Sequence, residues 1–149
     1  MSAIQDVEHS RRTQRNQRRY LFAAKHHGAN PAAATWLSEI GNETEFSIFD
    51  AADEGQFHDD RGWLYGILPD GEGGLRELGV WEEQVAEFQP GVNLEDPWHG
   101  YPKWALSDEG PKNRRKQQAR PDIVVFDRMI EAGLITLLQR RRLLGGKHA

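Results

Sequence analysis

Within eight residues, Pro97-Trp98-His99-Gly100-Tyr101-Pro102-Lys103-Trp104, the chain gathers an imidazole, a phenol, an ammonium and two indoles together with two prolines. Proline fixes φ, so the segment is stiff, and its rings offer large contact area at little ordering cost. Run as a strand, it places His99, Tyr101 and Lys103 on one face and Gly100, Pro102 and Trp104 on the other. Imidazole, phenol and ammonium side by side are groups that a metal-independent nuclease or phosphotransfer enzyme would use to move protons and bind phosphate. The same face suits recognition, because Trp and Tyr anchor interfaces. In that case Trp98, His99, Tyr101, Lys103 and Trp104 meet a protein partner. The plainest alternative is a structural loop whose rings plug a sheet. The spacing matches no catalytic signature, so of the two functional readings binding ranks above catalysis.

Other chemistry-bearing groups are sparser. His58-Asp59-Asp60 is the single His-Asp step, and no His-x-x-x-His occurs. A metal site needs three or more ligands in workable geometry, so this tripeptide reads as a turn before Trp63. His26-His27 reads as a helix-end cap. Gly71-Glu72-Gly73-Gly74 has an acid at its centre and no following Lys-Ser/Thr, which makes it a hairpin turn and not a phosphate loop. There is no cysteine, which excludes disulfides, thiolate metal sites and cysteine nucleophiles. No metal ligand set and no cofactor are expected.

The basic residues are clustered. Arg11, Arg15, Arg18 and Arg19 would share one stripe of a helix, Lys112, Arg114, Arg115, Lys116 and Arg120 form a second group, and Arg140-Arg141-Arg142 a third. Arginine-rich segments without core residues resemble those that order on RNA or phosphate backbone. The net charge of -4 conceals this segregation: residues 1–36 carry +4, residues 37–98 carry -14 and residues 99–149 carry +6. The ends either neutralise the middle or face an acidic ligand, and the first of these is the simpler expectation.

Elements must position these groups. Residues 8–19 contain no apolar side chain, which predicts a solvated helix or flexible arm. Asn30-Pro31 starts a helix over Ala32–Ile40, with Gly41 as its C-cap. Phe46 and Ile48 alternate with polar neighbours as in a strand, and so do Trp63, Tyr65 and Ile67. The Gly-rich turn and the run Leu75–Val80 complete a hairpin. Trp81, Val85 and Phe88 have helical spacing, so a short helix before Pro90 is expected over a third strand. Pro121 opens a helix with Ile123, Phe126 and Ile130 on one face, and Gly133 stops it. Thr136 and Gln139 then form a capping box for a last helix through Leu144.

The expected fold is α+β. A small antiparallel sheet built on the central hairpin is packed by the short N-terminal helix and the C-terminal helix pair. A basic arm spans 1–19 and a single domain spans 20–149. Residues 1–17 hold no signal-peptide run, and nothing approaches the ~20 apolar residues of a membrane span. The expected compartment is the cytoplasm, with no membrane partner. The expected function is a non-enzymatic protein-binding module, of adaptor or inhibitor type, using Trp98–Trp104 and the charged surfaces. The alternative is nucleic-acid binding through Arg11, Arg15, Arg18, Arg19, Lys112, Arg114, Arg115 and Lys116. An enzyme built on His99, Tyr101 and Lys103 ranks third.

Overall fold

A computed structural model describes residues 11–22, 34–93, 96–104 and 121–149. Among the described residues, two antiparallel sheets and three helices make a mixed α+β fold, as the sequence predicts. Strands β1 (Arg11–Arg12) and β2 (Arg19–Tyr20) form a hairpin, with Arg11 opposite Tyr20. Helix α1 (Asn42–Gly55) follows. The main sheet has the order β3 (Leu64–Gly66), β4 (Val85–Gln89), β5 (His99–Lys103). Helices α2 (Ile123–Glu131) and α3 (Leu137–Leu144) close the chain. Among the described residues no helix is long and apolar enough to cross a membrane.

Several elements differ from the sequence expectation, each for a local reason. The alternation at Phe46 and Ile48 belongs to α1, whose buried residues Glu45, Ile48, Phe49, Ala52 and Asp53 recur at helical spacing. Two alternating residues are too few to separate a strand from such a face. Residues 34–40 contain no helix: Trp36 bridges Gly79, and Leu37 N–H donates to the Leu78 carbonyl at 2.8 Å. Gly41 accordingly caps the N-terminus of α1 and ends no earlier helix. Positions 30–33 lie outside the described residues. The segment around Val85 and Phe88 is the central strand, buried from Val85 to Phe88. Cover on both faces removes the alternation that marks a half-buried strand. The Gly-rich turn forms as expected, with Pro69 bridging Leu75 and the Asp70 carboxylate accepting from Glu72 and Gly74 N–H.

The described part of the arm, residues 11–19, is neither a helix nor free of buried contacts. Residues 11–20 form the β1–β2 hairpin, Thr13 is fully buried, and the hairpin lies against α1. Arg11 pairs with Glu43, Arg15 with Glu54 and Arg18 with Asp53. Asn16 N–H and its side-chain amide both donate to Asp53, and Gln14 N–H donates to Asp50. An arginine-rich segment with no apolar residue is thus folded onto an acidic helix by charge-assisted hydrogen bonds.

The main sheet has two unlike faces. Leu64, Gly66, Ala86, Phe88, Gly100 and Pro102 face the core with Ile48, Phe49, Tyr20 and Trp36. A Cβ on Gly100 would sit 2.1 Å from the Phe88 ring, and one on Gly66 would sit 2.4 Å from Ile48. These glycines let the central phenylalanine and α1 approach the sheet. Tyr65, Val85, Glu87, Gln89, His99, Tyr101 and Lys103 occupy the opposite face. The Thr136–Gln139 box caps α3 as predicted, whereas α2 starts at Ile123 with Asp122 as its N-cap and Pro121 just before it. The buried face of α2 is Val125, Phe126 and Met129, whereas Ile123 is exposed, which shifts the expected stripe.

Candidate functional site

The Trp98–Trp104 segment is extended, and alternation brings His99, Tyr101 and Lys103 to one face as its spacing requires. What they meet there is a buried carboxylate. Glu87 stands on the central strand opposite Tyr101 on one side and Tyr65 on the other. It accepts from the Tyr101 hydroxyl, from Gln89 Nε2 at 3.0 Å and from Lys103, whose Nζ lies 3.3 Å from Oε2. The Tyr65 hydroxyl is 2.9 Å from both Glu87 Oε2 and Asp59 Oδ2, so its single proton serves one carboxylate at a time. Arg61 binds Asp59 and reaches the Tyr65 oxygen at 3.2 Å, with its guanidinium 3.5 Å over the Trp63 ring.

The electrostatics follow from this ring of donors. Burial alone would raise the Glu87 carboxyl. The hydrogen bond from Tyr101, the Lys103 charge and the bonds from Gln89 and Tyr65 outweigh it and hold Glu87 below the usual carboxylate range. Burial, together with the charge of Glu87, pushes the Tyr65 and Tyr101 phenols far above their ordinary value. Asp59 is held low against its own burial by Arg61, Tyr65 and two backbone N–H groups. Carboxylates kept ionised and phenols kept protonated sit far from neutrality on both sides. That is the signature of a supporting polar network and the reverse of an acid/base pair tuned to work near pH 7.

The remaining residues of the segment are similarly engaged. Trp98 is buried, bridges Tyr20, packs on Phe49 at 5.7 Å and carries Arg18 4.7 Å above its ring. Trp104 turns out of the strand with φ 64° and stacks flat on Tyr65 at 5.7 Å. His99 is half-buried beside Gln89 in the register. His58 bridges Leu64 at the base of the expected turn, which runs from Asp59 to Gly62, and Arg128 Nη1 lies 3.3 Å from its Nε2. Of the predicted nucleic-acid set, Arg11, Arg15 and Arg18 face carboxylates of α1. Arg12, Arg18 and Arg19 line a cleft of about 430 Å³ with Trp98 and Asp96. Lys112, Arg114, Arg115, Lys116 and Arg120, like His26 and His27, lie outside the described residues.

Sequence reasoning missed two features. Glu87 was legible only as a lone acid in the apolar run Val85-Ala86-Glu87-Phe88. The second feature lies on the C-terminal helices. Among the described residues, five of the seven exposed large aliphatic side chains lie on these helices or the turn joining them: Ile123, Val124, Leu134, Leu137 and Leu138. Leu137 and Leu138 are 64% and 58% exposed in the first turn of α3, and Leu134 just before it is 36% exposed. Gln139 and Leu143 take the inward face, which leaves Leu137, Leu138, Arg141 and Arg142 outward. Arg140 is tied to Asp127 on α2. The signal in the sequence is Leu137-Leu138 followed six residues later by Leu143-Leu144, a spacing at which a helix cannot bury both pairs on one face. No protein-family model matches this chain, and no curated protein or solved structure matches it either.

Proposed function

We propose that this chain is a non-enzymatic, cytoplasmic protein-binding module, and that its docking surface is the outward face of α3 with the preceding turn. The observation that carries the proposal is the group Leu134, Leu137 and Leu138, exposed together at the start of α3, where they form part of the main concentration of exposed large aliphatic side chains among the described residues. Arg141 and Arg142 border the group, and α3 holds three arginines and no acid. A second copy of the chain laid on this face would set arginine against arginine. The occupant it fits is therefore an amphipathic helix of another protein, with an apolar stripe and acidic flanks. In this account the Trp98–Trp104 segment acts from behind, as part of the sheet that supports the helices.

Affinity purification of the full chain and two variants tests the proposal. The partner stays bound at the same stoichiometry to wild type and to Tyr101→Ala, measured on folded protein. It is lost from the double variant Leu137→Asp, Leu138→Asp. A partner retained by that double variant, or lost only from Tyr101→Ala, would return the binding surface to the Trp98–Trp104 strand.

The arginine cleft beside Trp98 favours one second reading, capture of a nucleic-acid phosphate by Arg12, Arg18 and Arg19. It requires affinity that falls steeply with salt. An unchanged affinity for single-stranded RNA between low and moderate salt, or none at all, removes it.

A further inference from the structure

Three metal-ligating side chains outside the surfaces described above converge where the last residues of the chain cross the 77–82 turn. His148 Nε2 lies 3.5 Å from a Glu77 oxygen and 3.2 Å from a Glu82 oxygen. One ligand atom of each residue lies within 4.8 Å of the others. Their meeting does not depend on their own attraction. Ala149 N–H donates to Gln84 Oε1 at 2.7 Å, and Gln84 Nε2 donates back to the Ala149 oxygen at 3.2 Å. Leu75 N–H donates to that same oxygen at 3.1 Å. The 148–149 segment is thus fastened to the Leu75–Gln84 stretch by hydrogen bonds that do not involve the three ligating side chains, and these deliver the imidazole to the two glutamates.

Charge supplies an independent argument. Among the described residues no lysine or arginine side chain pairs with Glu77 or Glu82, and His148 is their one ionic neighbour. Two carboxylates beside one imidazole nitrogen make a net negative donor set, to which a divalent cation is complementary. Separations of 3.2 and 3.5 Å match the edges of a tetrahedron whose corners lie about 2.0–2.1 Å from a central zinc-class ion. One imidazole nitrogen with two carboxylate oxygens suits zinc, manganese or ferrous ions. Calcium and magnesium favour sites made of oxygen alone.

We propose that Glu77, Glu82 and His148 bind one divalent cation of the zinc class, with solvent completing its coordination, and that this ion clips the C-terminal tail onto the 77–82 turn. The site is distinct from the α3 face and stands whether or not that face binds a partner.

The test is a calorimetric titration of the metal-stripped full chain with Zn²⁺, repeated with Co²⁺ under visible absorption. The variants are His148→Ala, Glu82→Gln and His148→Lys, each checked for wild-type circular dichroism. The wild type should bind one equivalent and gain melting temperature on adding Zn²⁺. His148→Ala should weaken binding by more than about tenfold, the least that loss even of a residue supporting a ligand causes, and should lose the Zn²⁺-dependent gain. His148→Lys keeps a positive charge beside the glutamates but removes the imidazole, so it should behave like His148→Ala towards Zn²⁺. Absence of saturable binding to the wild type would overturn the proposal and leave a proton-bridged ion pair. Equal binding by His148→Ala, placing the ion at another histidine, would overturn it as well.

Discussion

Glu87 illustrates how one side chain sets the character of a whole sheet face. A buried carboxylate is costly unless its lone pairs and charge are met, and here two phenols, an amide and an ammonium meet them. Removing the charge while keeping the shape tests that account. Glu87→Gln should cost roughly 3 kcal/mol at neutral pH, because Lys103 loses its partner and one tyrosine then faces an amide donor. The pH dependence follows from the same groups. Glu87, Asp53 and Asp59 all titrate below their ordinary values of 4.5, 3.8 and 3.8. In this range the unfolded chain binds more protons than the folded one, so stability falls as pH falls. Their contribution is complete above those ordinary values and disappears as pH drops through the lower folded ones. Urea denaturation at pH 7 and pH 4 should show wild type losing more stability than Glu87→Gln. Equal losses would mean that the Glu87 charge contributes nothing to the acid transition.

At the scale of elements, the arm and α1 form one charge-matched unit. Deleting residues 1–18 removes Arg18 and Asn16 from Asp53, whose side chain is almost fully buried in the folded protein. The deletion should cost at least about 2 kcal/mol, beyond the range of ordinary surface changes. Asp53→Asn introduced into the truncated chain should recover part of that loss. A truncated chain that melts with wild type would show that the hairpin rests on α1 without stabilising it. The sequence left this docking undetermined because composition alone cannot say whether the five arm arginines meet acids of their own chain or a ligand. Elements with long or chemically distinctive signals were legible: the Thr136–Gln139 box, the Asp70–Gly74 turn and the alternation of His99, Tyr101 and Lys103. Those that failed had signals shorter than one period of the competing structure. Phe46 and Ile48 alone mimic a strand, and Trp81, Val85 and Phe88 alone mimic a helix. In both cases tertiary cover decided the matter, through Asp53 and Ile48 on α1 and through burial of both faces of β4.

At the scale of the whole molecule, the segregated charge resolves into internal matching at one end and a basic rim at the other. Arg11, Arg15 and Arg18 cover the acidic helix, whereas Arg141 and Arg142 stay outward beside the exposed leucines. The candidate site was only partly visible in advance for this reason. The aromatics of Trp98–Trp104 that suggested binding are buried or part-buried and engaged with the core and with Glu87, whereas the leucines at the start of α3 are exposed. Site-specific photocrosslinking in the cell tests this most directly, with benzoylphenylalanine placed singly at Leu138, at His99 and at Glu72 in the Gly-rich turn. The account predicts one discrete protein adduct from position 138, abolished by Leu134→Asp, and none from 99 or 72. An adduct from position 99 with none from 138 would contradict it.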